Sequence, residues 1–248
     1  MPTRFPNFGQ LWTPVFQPVT RQNTMNWNSH INTLTQTLNL LSARNGLGGE
    51  IPPDTAFAQW RDLTFLIREA RRSVYFIGNG ASASIASHMS ADLAKNAHVR
   101  TEVFSDLSLI TALANDLCYE EVFAEPLRRR MEPGDMLVAI SSSGKSPNIL
   151  RASQVAASRG GIVVTLSSMD GSNPLRSKGM LNFYVPAHTY GMAESGHAAL
   201  LHFWVDLMVE STEQRPQLKS DWETMVAKFQ QEFGPRSAAM PVGLGTQI

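Results

Sequence analysis

The feature that most narrows the fold is a set of short apolar runs that lack polar alternation. Residues 73–78 read SVYFIG, 135–141 DMLVAIS, 161–167 GIVVTLS and 181–186 LNFYVP, and TEVFS at 101–105 is a fifth run. A strand wetted on one face alternates apolar and polar residues, whereas a strand covered on both faces does not. Segments with helical spacing separate these runs. Strands alternating with helices imply an α/β fold, with a five-stranded parallel sheet, helices on both faces and right-handed crossovers.

Before the first run, Met25, Trp27, Ile31, Leu34, Leu38 and Leu41 recur at helical spacing across Thr24–Ala43. NGLGGEIPPD (45–54) is a break, and residues 55–72 predict a second amphipathic helix with Asp54 as its N-cap. Later helices are expected at 147–160, from about Met192 to Glu210, and around Ile110 and Val122. Residues 1–23, rich in Pro, Phe and Asn, read as an irregular arm. Residues 24–212 are expected to form the α/β domain. Residues 213–248 are expected to hold one more helix, at 219–234, and a disordered tail.

Composition excludes several classes. Lys plus Arg and Asp plus Glu are 21 each, so net charge points neither to nucleic acid nor to a membrane surface. The single cysteine, Cys118, forms no internal disulfide and is expected to be buried and inert. The apolar runs are too short to cross a bilayer, and the N-terminus has no secretory apolar core. A cytoplasmic location is expected.

Two loops follow strands at what should be one edge of the sheet. GNGASAS (78–84) combines Gly78 and Gly80 with Asn79, Ser82 and Ser84. ISSSGKSP (140–147) carries Ser141, Ser142, Ser143 and Ser146 around Gly144, and Lys145 adds charge. Ser146 before Pro147 is a helix start, with serine at the N-cap and proline at the first position. First-turn N–H groups attract anions, and hydroxyls donate to phosphate oxygens. Neither loop has the spacing of a Walker A or dinucleotide loop. A small phosphorylated ligand fits better than a nucleotide, and no nucleotide cofactor is expected.

Chemistry-bearing residues lie nearby. His88 and Asp92 are four apart on the helix after the first loop, so they share a face. Glu194, His197 and His202 lie on the closing helix. His202 sits in the apolar run LLHFW, as a core histidine or as a catalytic one. Asp116, in LANDLCYEEVF, is a turn residue or a ligand.

The order GNGAS…H…D…ND…ISSSGKS…H resembles the SIS (sugar isomerase) domain family, in its phosphoheptose isomerase branch, over residues 24–212. The resemblance implies a flavodoxin-like sheet, assembly as a homotetramer through the N-terminal helices, active sites at subunit interfaces and a small sugar phosphate as substrate. Ser82, Ser141, Ser142, Ser143 and Ser146 match the positions that hold the phosphate, Asn79 and Asp116 match substrate-binding positions, and Glu194 is expected to contact the substrate as well. Asp92 falls where the family has its catalytic glutamate, and His202 matches its catalytic histidine. Some members bind zinc, and the matching positions are His88, Asp92, Glu194 and His202.

The chain departs from the family pattern at several of these places. Asp92 is one methylene shorter than glutamate, which withdraws the carboxylate by about 1.5 Å. Glu194 replaces a glutamine. Asn96, beside Lys95, stands where many members have an arginine, and the segment from this helix to the next strand is shorter than usual. The first functional reading is an aldose–ketose isomerase working through an enediolate. The alternative is a SIS domain without catalysis that binds a phosphosugar or a protein partner.

Overall fold

The computed structural model describes residues 26–210. The arm at 1–23, the helix at 219–234 and the tail lie outside the described residues. In chain order the elements begin with helix α1 (Trp27–Asn39), strands β1 (Ser42–Asn45) and β2 (Glu50–Ile51), helix α2 (Pro53–Glu69) and strand β3 (Ser73–Gly78). Helix α3 (Ala81–Ala97), strand β4 (Arg100–Val103), helices α4 (Leu107–Asp116) and α5 (Ala124–Arg130) and strand β5 (Met136–Ser141) follow. The unit ends with helix α6 (Pro147–Ser158), strands β6 (Ile162–Ser168) and β7 (Leu181–Val185), and helix α7 (Tyr190–Glu210).

All five apolar runs are strands, and they pair in parallel in the order β7-β6-β5-β3-β4. The sheet is nonetheless mixed and seven-stranded, because β1 and β2 extend it antiparallel beside β7. This hairpin occupies the end of the expected first helix and the expected break. Its strands, SARN and EI, carry no apolar pattern to announce them. Asn45 makes the turn, its side-chain oxygen accepting from the N–H groups of Leu47 (3.0 Å) and Gly49 (2.9 Å). Arg176 then ties the hairpin to the body, donating to Ser42 Oγ at 2.5 Å while its guanidinium lies 4.4 Å from the Tyr184 ring centroid.

Side-chain alternation sorts the strands into two cores. Val74 and Phe76 of β3 face one, and Tyr75 and Ile77 face the other. The first core holds the large aromatics. Trp204 of α7 stacks on Trp60 of α2 with ring centroids 4.0 Å apart, and its indole N–H donates to Thr64 Oγ1 at 3.2 Å. Asp54 is not the N-cap of α2; Pro52 is, and Asp54 lies in the first turn, where its charge favours the helix N-terminus.

On leaving β3 the chain passes to β4 on one side, then returns to β5 on the other. The strand order therefore reverses between β3 and β5. Loops leaving the carboxyl ends of two such strands diverge, and the crevice between them is the usual ligand site of an open parallel sheet.

Candidate active site

The two serine loops lie in that crevice. At Gly78 an added Cβ would come within 2.6 Å of the Ser82 backbone, so α3 starts directly on the end of β3. Gly144 has φ +62°, and Asn173 Oδ1 would be 1.9 Å from a Cβ there. Only glycine allows that turn with Asn173 packed against it. Ser146 is the N-cap of α6 and Pro147 follows it, as expected. The Ser146 hydroxyl makes no capping bond and instead meets Ser141 Oγ at 3.3 Å.

A cleft of about 180 Å³ results, lined by Asn79, Ser82, Ser141, Ser142, Ser143 and Ser146, with Ile140, Tyr190 and Glu194. The N-termini of α3 and α6 both open at its edge, so their first-turn N–H groups favour an anion. Asn79 also braces the site. Its amide exchanges two hydrogen bonds of 2.9 Å with buried Asn148 of α6, and Tyr119 O–H donates to Asn79 Oδ1 at 3.2 Å. Asn148, Tyr119 and Tyr190 were not legible from the sequence, because none stands in a loop of unusual composition.

Two expectations are corrected around the cleft, for Lys145 and for Cys118. Lys145 does not line it; its ammonium pairs with Asp170 at 2.9 Å. Bonds from Ser172 and then Lys145 hold the Asp170 carboxyl well below the usual carboxylate range. Asp116 is the last residue of α4, exposed and outside the cleft lining, and its Oδ1 accepts from Asn115 at 3.0 Å. Cys118 is exposed, not buried. It follows α4, a helix with no fully buried residue, so nothing carries the thiol into the core.

A second group forms where α3 packs on α7. One ligand atom each from His88, Asp92 and His202 lies within 4.8 Å of the others. His88 Nε2 is 3.4 Å from Asp92 Oδ2, and the His88 and His202 ring centroids are 5.3 Å apart. Two imidazoles and a carboxylate at this spacing fit zinc. Glu194 does not belong to this group. It lies eight residues before His202 on one helix, about 12 Å away along the axis, and faces the serine cleft instead.

The core histidine of α7 is His197, and His202 is exposed. The buried stripe runs through Ala193, His197, Leu200, Leu201, Trp204, Val205 and Met208, a helical period that passes beside position 202. His197 Nε2 is 3.0 Å from Ser168 Oγ, and its Nδ1 has no hydrogen-bond partner. Burial pushes the imidazole down to about 4.

Comparison with known proteins places this architecture first in a class. A SIS-domain family model matches residues 56–168. Over 147 residues the chain is 35% identical to the phosphoheptose isomerase of Halorhodospira halophila, covering 56% of this chain and 74% of that protein. Over 143 residues it is 34% identical to the phosphoheptose isomerase of Shewanella denitrificans, covering 54% and 73%. The chain belongs to the phosphoheptose isomerase family of SIS-domain proteins. A phosphoheptose isomerase structure from Francisella tularensis shares the fold, with a TM-score of 0.62 at 24% identity over 76% of this chain and 96% of that one.

Proposed function

We propose that the protein is an aldose–ketose isomerase acting on a sugar phosphate of the sedoheptulose 7-phosphate type. The observation that carries this reading is the joining of an anion cleft to an acid–base group by two shared helices. From Ser82 to His88 along α3 is about 9 Å, and from Glu194 to His202 along α7 about 12 Å. A phosphate held by Ser82, Ser141, Ser142, Ser143 and Ser146 leaves an extended sugar chain to run toward Asp92 and His202.

The reaction then needs two proton movements. Asp92 takes the proton from C1 of the ketose, and the electron pair forms the enediolate as the C2 carbonyl oxygen gains negative charge. His202 moves a proton between the two oxygens, and Asp92 returns its proton to C2, which leaves the aldose. Both groups lie within one cluster, as a base and a proton shuttle acting on adjacent atoms require. His88, Asp92 and His202 are also the residues that would hold zinc; it would polarise a substrate carbonyl oxygen in place of the proton shuttling by His202, which belongs to the metal-free group.

A phosphosugar-binding module without turnover needs the cleft but neither Asp92 nor His202, so the meeting of these two side chains favours catalysis. The reading includes a cytoplasmic homotetramer with active sites at subunit interfaces. Exposed Trp27 and Ile31 on α1, with Phe203 and Val209 on the adjoining α7, support assembly. The test is incubation with sedoheptulose 7-phosphate in D₂O, followed by NMR. Aldose phosphate should form and deuterium enter at C1 or C2 with wild type, and both should cease with Asp92→Asn. Phosphosugar binding with no exchange in wild type would establish the module instead. Light scattering on the eluting protein tests the tetramer.

A further inference from the structure

The proposed reaction has no use for His197, yet it is a fully buried titratable side chain beside the site. Its environment makes sense as a joint. Nε2 lies 3.0 Å from Ser168 Oγ, so a hydrogen bond joins the ring to the end of β6 whichever of the two carries the proton. Ser168 ends β6, and its backbone N–H donates to the carbonyl of Ser142 at 3.0 Å, within the serine loop. One line of hydrogen bonds thus runs from the middle of α7 to the floor of the cleft. On the same helix, Glu194 lies one turn before His197 and lines the cleft, and His202 lies beyond it in the acid–base cluster. Close packing at Gly196 seats this part of α7 on β7, since a Cβ there would fall 2.8 Å from Val185 Cγ1.

We infer that His197 is a positioning residue, which sets the register of α7 against the serine loop and so the distance from bound phosphate to His202. The inference rests on the isomerase reading for its kinetic consequence. Its structural content is separate: occupation of the cleft should be felt along α7 through Ser168. A displacement of about 1 Å between the held substrate and the proton shuttle His202 is enough to lower turnover roughly a hundredfold.

Three variants of the full chain test this. Ser168→Ala removes one end of the bond, His197→Leu removes the other, and His197→Gln keeps an N–H near the Nε2 position. Ser168→Ala and His197→Leu should lower kcat by about tenfold to a hundredfold with KM changed less than threefold, and His197→Gln should recover most of the loss. An unchanged kcat in Ser168→Ala, or equal losses in the Leu and Gln variants, would overturn the inference, even if His197→Leu fails to fold. Hydrogen exchange with saturating inorganic phosphate gives a readout independent of turnover. In wild type, phosphate should slow exchange in residues 141–146 and also in 193–202. In Ser168→Ala the first effect should persist and the second disappear. An α7 response that survives Ser168→Ala refutes the joint. A wild type that shows the coupled protection but turns over no ketose phosphate refutes the isomerase reading and leaves the joint standing.

Discussion

The serine cleft and the His88–Asp92–His202 group lie on the same two helices but are built in opposite ways. The cleft is mostly backbone: strand ends, helix N-termini, a positive-φ glycine, and hydroxyls on short side chains. Ser82, Ser141 and Ser142 are buried, and Asn148, Asn173 and Ser168 hold the loops from behind. The His88–Asp92–His202 group is made of longer side chains on helix surfaces, with His88 and His202 exposed and Asp92 half-buried. A ligand that must be held tightly meets a rigid scaffold with few rotamers to order. On the proposed isomerase reading, a group that exchanges protons has side chains with freedom to move and access to solvent. Binding and chemistry should therefore separate under mutation.

The largest effect is expected from Asp92→Asn, which should lower turnover about 10²- to 10⁴-fold and leave inorganic phosphate affinity within twofold. Steady-state kinetics beside calorimetry would show the division, and a comparable loss of phosphate affinity would break it. Ser142→Ala should act the other way, weakening phosphate about tenfold to a hundredfold, the worth of one hydrogen bond to a charged group.

The buried joint between the two regions adds a pH dependence. His197 has its folded value depressed to about 4 from the ordinary 6.5, so the unfolded chain binds the proton first as pH falls. Its contribution to stability is present above pH 6.5 and is lost as pH drops toward 4. Between pH 7 and 5 this amounts to about 2 kcal/mol. Urea unfolding at both pH values should show the slope in wild type and a smaller one in His197→Gln. If the slopes are equal, other groups dominate.

Smaller effects sharpen the boundary of the cleft. Glu194→Gln removes a carboxylate from an anion site and should tighten phosphate roughly threefold. Looser phosphate binding would mean that the Glu194 carboxylate itself contributes to holding the ligand. Lys145→Ala should change phosphate affinity less than twofold, because that ammonium is spent on exposed Asp170.

The cleft was largely legible in the sequence. Buried strands announce themselves through unbroken apolar runs, and β3 falls at 73–78, where the run placed it. The Ser146–Pro147 start of α6 follows from local backbone chemistry. The β1–β2 hairpin was not legible, since its strands are short and polar and are held by β7 and Arg176. On α7 the residues were visible but their directions were not. An apolar run around His202 suggests burial, yet the stripe set by Trp204 and Leu201 turns His197 inward and leaves His202 outward. Glu194 shares a helix with His202 but not its site, because eight residues of helix separate them.

What the sequence by itself determined are features with a local cause: strands with two covered faces, glycines where a side chain cannot fit, a serine–proline helix start and an i,i+4 pair on α3. What only the tertiary structure decided is which of these meet. The reversal of strand order between β3 and β5 brings two loops 60 residues apart to one cleft, and the packing of α3 on α7 brings His202 to His88 and Asp92. The physical reason is that local propensity acts through neighbouring residues, while a site depends on the direction of side chains across long-range packing. That direction is set by the whole core at once.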